Sequence, residues 1–168
     1  MISNIVKMHF VYLSIGSNLG DRKKYISDAE IYIEKLIGVI TCKSGLYETE
    51  PWGIVHPEMF LNKVILVESD LAPFQIFEKI QAIEKSNGRI RNNEKYSPRT
   101  IDIDILFFDE IVLDDKNLTI PHPLIKERKF ILEPLAEIAG GFIHPLYKKT
   151  VRQMFRECSD NHLVRKIS

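Results

Sequence analysis

Ser97-Pro98-Arg99-Thr100-Ile101-Asp102-Ile103-Asp104-Ile105-Leu106-Phe107-Phe108 sets two acids at spacing two inside an otherwise apolar run. β-Branched residues in such a run read as a strand, and successive side chains of a strand point to opposite faces. Asp102 and Asp104 therefore share one face, while Ile101, Ile103 and Ile105 take the other. Two like charges held that close on a buried strand repel and lose hydration, which costs free energy unless a cation sits between them. Paired hard oxygen ligands with Arg99 just upstream point to magnesium and a phosphate-bearing substrate. The bland alternative is a solvated strand face on which both acids do nothing, because Asp-x-Asp is short and common.

Upstream, Phe10 to Ile15 reads as a first strand, ended by the turn residues Gly16-Ser17-Asn18 and Gly20. Asp21 can cap a helix in which Tyr25, Ala29, Tyr32, Ile33, Leu36 and Ile37 fall at helical spacing, and Gly38 ends it. Val39 to Tyr47 and Asn62 to Glu68 read as the second and third strands. Asp70 and Pro73 announce a second helix, along which Phe74, Phe77, Ile80, Gln81 and Glu84 form one stripe. Asn87-Gly88 closes that helix, and the acidic strand follows after a loop. Beyond it come a short strand from Ile111 to Leu113, a loop bounded by Pro121 and Pro123, and a helical segment near Leu132 to Ile138. Thr150 caps a last amphipathic helix through Cys158. The order strand, helix, strand, strand, helix, strand predicts an α+β domain. Its core is a ferredoxin-like βαββαβ unit with an antiparallel sheet and flanking helices, plus a C-terminal helical extension.

The bulk properties fit a small enzyme or binding domain without choosing between them. At 168 residues the chain is one domain on length alone and can enclose a substantial core. Its 23 basic and 23 acidic residues cancel, so no global field attracts nucleic acid or membrane, and phosphate binding must come from local clusters. Cys42 and Cys158 match neither zinc-ligand spacing nor a disulfide framework. Without a signal-peptide apolar region or a run of membrane-spanning length, the expected location is the cytoplasm. Gly16-Ser17-Asn18-Leu19-Gly20-Asp21 follows a strand but lacks both the Gly-Lys-Ser/Thr ending of the nucleotide-cradling loop and the Gly-x-Gly-x-x-Gly pattern. A tight turn with capping is its expected role.

Two loops are too particular to be simple connectors. From Gly88 to Thr100 the chain carries Arg89, Arg91, Lys95 and Arg99 against one acid, Glu94. A polyphosphate held between those cations and the paired acids explains the cluster, with local charge balanced only when ligand is present. A solvated basic loop is the alternative. The second loop, from Thr49 to Phe60, contains Pro51, Trp52, Gly53, His56 and Pro57. Trp52 either closes over a flat ligand or packs on the core edge. Asn62 starts the next strand, where an amide can pair with the donor and acceptor edge of a heterocycle. Among the histidines only His122, between Pro121 and Pro123, is a candidate phosphate donor; His9, His144 and His162 look incidental.

Read in order, these motifs resemble the 6-hydroxymethyl-7,8-dihydropterin pyrophosphokinase family of folate biosynthesis. The resemblance rests on Leu13-Ser14-Ile15-Gly16-Ser17-Asn18-Leu19-Gly20-Asp21, Tyr47-Glu48-Thr49-Glu50-Pro51-Trp52-Gly53, Phe60-Leu61-Asn62 and Gly88-Arg89-Ile90-Arg91. It continues in Pro98 to Leu106 and in Ile120-Pro121-His122-Pro123 with Arg128 and Phe130. It covers nearly the whole chain, read as a single domain over 1–168 with an N-terminal arm over 1–7. The resemblance implies transfer of the terminal pyrophosphoryl group of ATP to the pterin's hydroxymethyl oxygen, releasing AMP. It implies two magnesium ions on Asp102 and Asp104, with Arg89 and Arg99 as catalytic residues. ATP contacts implied by the family are Gln81, Glu84, Arg91, Lys95, Ile105, Thr119, His122 and Arg128. The pterin would lie between the rings of Phe60 and Phe130, near Thr49, Glu50, Trp52 and Asn62. The expected partners are thus ATP and the pterin, bound by a monomer.

Departures from the family pattern bear on loop closure. Lys95-Tyr96-Ser97 stands where the family commonly has Arg-Trp-Gly, so a point charge replaces a bidentate fork and a smaller ring replaces the lid ring. Glu50 adds a negative charge beside the proposed pterin pocket. Two other classes use some of the same features: a magnesium-dependent nucleotidyltransferase, with a Gly-Ser turn and Asp-x-Asp, and a non-catalytic ferredoxin-like ligand-binding domain. In the first the two motifs normally lie close in sequence, whereas Ser17 and Asp102 are far apart; the second leaves the basic loop and paired acids unexplained.

Overall fold

The structure is a computed structural model that describes residues 6–53, 58–89 and 98–168. Twelve elements follow one another: β1 (His9–Ser17), α1 (Arg22–Leu36), β2 (Val39–Lys43), β3 (Tyr47–Thr49), β4 (Phe60–Ser69), α2 (Pro73–Ser86), β5 (Asp102–Phe108), β6 (Leu113–Asp114), β7 (Thr119–Ile120), α3 (Lys129–Ala139), α4 (Val151–Glu157) and β8 (Val164–Lys166), with a 3-10 turn at Ile125–Glu127 before α3. The main sheet runs β5-β1-β4-β3-β8, with β2 also pairing on β4, and its pairings are antiparallel. β6 and β7 form a separate small hairpin.

The alternation read from the acidic run decides how the sheet is covered. Ile101, Ile103 and Ile105 enter a core with Ile26, Ala29 and Ile33 of α1 and Ile76, Ile80 and Ile83 of α2. On the other face, Val64, Leu106 and Phe107 pack with Ile131, Leu132 and Leu135 of α3 and Val151 and Met154 of α4. Helices thus lie on both faces of a mixed α/β domain. Each fully buried isoleucine contributes roughly 1.5–3 kcal/mol. That burial offsets the cost of bringing two acids together on the opposite side of β5.

Local chemistry explains the helix ends. Asp21 Oδ1 accepts from Lys24 N at 3.0 Å, capping α1 as expected. α2 begins with Pro73 in its first turn, where no amide hydrogen is needed, and its N-terminal residue Ala72 donates N–H to Gln75 Oε1 at 2.8 Å. Thr150 caps α4 by accepting from Gln153 N.

Several boundaries differ from the sequence reading, each for a nonlocal reason. The second expected strand is two strands, because Ser44 turns back onto β4: its N–H donates to Val64 O at 2.9 Å and its Oγ accepts from Val64 N at 3.0 Å. The stripe on α2 is rotated, with Ile76, Ile80, Ile83 and Glu84 buried and Phe74 exposed. On α1, Ile26 takes an inward position, whereas Tyr32 and Leu36 face outward. After α4 the chain does not remain helical but forms β8 on the free edge of β3. No helix among the described residues is long and apolar enough to cross a membrane.

His144 is 1% exposed rather than incidental. Its Nδ1 accepts from the N–H groups of Leu146 and Tyr147, both at 3.2 Å, and its ring stacks on Tyr147 with centroids 4.2 Å apart. Burial pushes its pKa down from 6.5 to about 4. Because the folded value is depressed, the stabilisation is complete above pH 6.5 and is lost as pH falls from 6.5 toward 4. Replacing it with asparagine keeps a turn acceptor but removes the titration. Urea unfolding at pH 7.5 and pH 4.5 should show the parent losing more stability than His144→Asn, by on the order of 2 kcal/mol.

Candidate active site

Strand register assembles the cleft. Asp102 pairs with Gly16, Gly16 with Asn62, and Asn62 with Tyr47, so these positions form one row across the sheet. In the next row Asp104 pairs with Ser14 and Ser14 with Val64. Along the same face, the apolar residues beneath α3 give way to this polar end.

Gly16 is required by close approach. A Cβ there would stand 2.8 Å from Asn62 Oδ1. The open position lets the buried Asn62 amide lie across the row, where its Nδ2 donates to Thr49 Oγ1 at 2.6 Å. Phe60, two residues before Asn62 on β4, adds an aromatic ring to that side of the cleft.

Both arginines expected to act in catalysis converge on Asp102. Arg89 Nη1 donates to Asp102 Oδ1 at 2.6 Å, and Arg99 Nη1 donates to Asp102 Oδ2 at 2.8 Å. Burial works against the Arg89 charge, but Asp102 and Glu84 more than offset it, and its pKa is raised. Behind the strand, Glu84 is 2% exposed; it pairs with Arg89 and accepts from Ile103 N at 2.9 Å. Arg99 is fixed through its backbone by buried Asn18, whose N–H donates to Arg99 O at 3.1 Å and whose Oδ1 accepts from Arg99 N at 2.8 Å. Of the four cations expected to balance only with ligand, Arg89 and Arg99 are paired without one, while Arg91 and Lys95 lie outside the described residues. Asp102 already carries two guanidinium partners.

Asp104 has a different environment. Its Oδ2 lies 3.9 Å from His122 Nε2 and 4.0 Å from Arg128 Nη1. Desolvation first, and Asp102 beside it second, raise its pKa to about 7, although 36% of its side-chain surface remains open to the cleft. His122 is pushed down to about 4 by burial and then by Arg128, so it is neutral at neutral pH. Its Nδ1 accepts from Leu124 N at 3.2 Å, which fixes the ring with Nε2 toward Asp104. The Arg128 guanidinium lies 4.9 Å from the Trp52 ring centre and 5.7 Å from that of Phe130.

The resulting cleft encloses about 280 Å³ and brings together Thr49, Glu50, Trp52, Phe60, Asn62, Arg89, Arg99, Asp102, Asp104, His122, Arg128 and Phe130. An adjoining cavity of about 240 Å³ shares Asp104, His122 and Pro123 with it and contains Ile105 and Thr119. Gln81 and Glu84 line neither. Arg91 and Lys95, like His56, Tyr96 and Ser97, lie outside the described residues. The Glu50 carboxylate turns to Leu163 N, from which it accepts at 2.7 Å. Sequence reading missed Ser14, Gly16, Lys116 and Asn117 as lining residues, and Asn18 as the support of Arg99. Lys116 and Asn117 sit in the turn of the β6–β7 hairpin, which becomes visible only when Thr119–Ile120 is recognised as a strand.

Among the described residues no group of three or more His, Cys, Asp or Glu side chains forms a metal cage. The donor set is instead two carboxylates on one strand, open to a cleft lined with arginines. That set fits magnesium, which keeps water and takes phosphate oxygens as further ligands.

Comparison with known proteins gives a consistent result. The sequence model of the 7,8-dihydro-6-hydroxymethylpterin-pyrophosphokinase (HPPK) family matches residues 12–140. A 2-amino-4-hydroxy-6-hydroxymethyldihydropteridine pyrophosphokinase of Aquifex aeolicus is 39% identical over 146 residues, covering 87% of this chain and 90% of that one. The protein of the same name from Porphyromonas gingivalis is 41% identical over 141 residues, covering 82% and 95%. The folic acid synthesis protein fol1 of Pneumocystis carinii is 37% identical over 95% of this chain, which spans only 22% of that protein's length. Wild-type Plasmodium falciparum HPPK-DHPS, solved with pteroate, superposes with a TM-score of 0.73 at 16% identity, over 90% of this chain and 44% of that one. Because the family match takes in β1 to α3 and the bacterial relatives align over most of both chains, this chain belongs to the HPPK family.

Proposed function

We propose that this chain transfers the terminal pyrophosphoryl group of ATP to the hydroxymethyl oxygen of 6-hydroxymethyl-7,8-dihydropterin, giving AMP and the pterin pyrophosphate. This is the pyrophosphokinase step of folate biosynthesis, the reaction of its family. The observation that carries the reading is one cleft with two ends. Paired acids and two arginines stand at one end, and Phe60, Asn62 and Phe130 at the other.

In this reading the pterin ring enters between Phe60 and Phe130, with its polar edge at Asn62 and the Thr49–Gly53 backbone. Trp52 and Arg128 close over the junction of the two substrates. ATP would occupy the adjoining cavity, with Ile105 and Thr119 beside the nucleoside and His122 and Arg128 near the phosphates; Gln81 follows Ile80, which lines that cavity, and Glu84 acts from behind by holding Arg89. Asp102 and Asp104 would hold two magnesium ions, which neutralise phosphate oxygens and align the chain for in-line displacement. Arg89 and Arg99 stabilise the charge that moves during transfer, and Arg91 and Lys95 add charge from the same loop. The chain works as one monomeric domain, and its strand order fits the ferredoxin-like βαββαβ core; residues 1–5 of the expected N-terminal arm lie outside the described residues. The unpaired thiols Cys42 and Cys158 support a cytoplasmic setting.

Incubation with ATP, magnesium and the hydroxymethyl dihydropterin should yield AMP in step with pterin pyrophosphate. Release of ADP, or turnover that ignores the pterin, would overturn the assignment.

Asp104→Asn separates function from stability. It removes a metal ligand, so turnover should fall at least a hundredfold, about 2.7 kcal/mol in the barrier. It also removes a carboxylate whose ionisation folding disfavours, so the variant should melt at or above the parent's temperature. A variant with near-parental rates would show that Asp104 is not a ligand. Gly16→Ala should displace the Asn62 amide and weaken pterin binding roughly tenfold, about 1.4 kcal/mol, while ATP binding is spared. Titration of each ligand separately gives the comparison.

A further inference from the structure

The family match ends at residue 140, yet the chain continues through α4 to a segment that touches both walls of the cleft. On one side, β8 pairs with β3 so that Thr49 faces Val164, Glu48 faces Arg165 and Tyr47 faces Lys166. One residue further, the contact enters the cleft wall itself. Glu50 N donates to Leu163 O at 3.1 Å, and Glu50 Oε2 accepts from Leu163 N at 2.7 Å. Arg165 Nη2 adds a charged bond to Glu48 Oε2 at 2.7 Å. The backbone that presents Thr49, Glu50 and Trp52 is therefore held from outside.

Three residues before Leu163, the same segment reaches the opposite wall. Asp160 Oδ2 accepts from Lys129 N at 3.0 Å, at the start of α3 and between Arg128 and Phe130. Its side chain is only 3% exposed, and its Oδ1 accepts from His162 N at 3.1 Å, which turns the chain toward β3. An anionic carboxylate on the first amides of a helix is favourable electrostatically and orients the helix end. Arg128, the residue at the N-terminal boundary of α3, has no side-chain cap of its own. Asp160 supplies the cap from elsewhere in the chain.

We infer that Asp160 to Lys166 is a strap that sets the separation of the two cleft walls, with Asp160 and Leu163 as positioning residues for the pterin slot. This rests on the pyrophosphokinase reading of the cleft. A stacked heterocycle needs two walls at a fixed spacing. In this chain the wall that carries Thr49 and leads into Glu50 is β3, a three-residue strand between β4 and β8, and the wall that carries Phe130 is the first turn of α3. The strap ties each to the other without touching the ligand.

The test measures pterin binding to the full chain in the presence of a non-hydrolysable ATP analogue, together with steady-state turnover. Asp160→Ala should weaken pterin binding five- to tenfold and raise the pterin KM in parallel, with kcat within twofold of the parent. Asp160→Asn, which keeps an acceptor at the helix end, should recover most of that loss. Leu163→Pro, which deletes the N–H that Glu50 Oε2 accepts, should weaken pterin binding three- to fivefold; Leu163 is 49% exposed, so no core contact is lost. Folded variants that bind the pterin within twofold of the parent would overturn the strap. If Asp160→Ala does not remain folded at the assay temperature, Leu163→Pro decides alone. A parent protein that binds no pterin would instead bring down the functional reading, and the strap's role with it.

Discussion

A buried carboxylate behind β5 constrains much of this site. Glu84 is carried by α2 into the interface with the sheet, where an unpaired charge would cost several kcal/mol. It is satisfied by Ile103 N from the strand and by the Arg89 guanidinium, which also reaches through to Asp102. One ion pair thereby fixes three things together: the position of α2 against β5, the place where the chain leaves α2, and the direction in which Arg89 enters the cleft. Arg99 arrives at the same Asp102 from the other side, with its backbone clamped by Asn18. The charged end of the cleft is thus built from supports that lie outside it.

This arrangement has a consequence for catalysis. With Arg89 and Arg99 both on Asp102, the cleft is not an unbalanced basic pocket awaiting an anion. Were ATP with magnesium to bind as proposed, its binding would be an exchange of partners: Arg89 and Arg99 would turn from the carboxylate to phosphate oxygens and leave Asp102 able to hold the metal. That exchange would need only side-chain reorientation, with the donors already near the charge they are proposed to stabilise. Asp104 enters the exchange differently. Among the described residues no guanidinium approaches it as closely as those on Asp102; it is pushed up by burial and by its neighbour, and a divalent cation would relieve both.

What the sequence revealed depended on range. Alternation along β5, the Asp21 cap and the Thr150 cap are local, and each holds in the structure. The two faces of the acidic strand were legible because period two leaves only one choice. The buried stripe on α2 was misread because Phe74 and Gln81 fit a helical face as well as Ile76 and Ile83 do, and only the sheet beneath selects between them. Asn18 was legible as a turn residue but not as the support of Arg99, which lies 81 positions away. Glu50 read as a charge in the pocket because its partner, Leu163, is 113 positions distant and carries no side-chain signal for the contact. The three-residue strand β8 likewise has no periodicity long enough to distinguish it from a tail.

The sheet face beneath α3 shows why so small a domain can hold these groups rigidly. Tyr12, Val64 and Leu106 lie on that face within or against the core, while two positions along each strand stand Ser14, Asn62 and Asp104, and two further along β1 and β5 stand Gly16 and Asp102. Each of these three strands is therefore anchored close to its site residues by a side chain of its own packed under or beside α3. Groups held on strands of this kind keep their spacing better than groups on loops. The transition from apolar to polar must then occur within one or two residues on three adjacent strands at once, and the register that aligns Asp102, Gly16 and Asn62 is what makes it coincide. A one-residue slip of β5 would send both acids into the isoleucine core, so burial of Ile101, Ile103 and Ile105 and placement of the two acids are enforced by the same constraint.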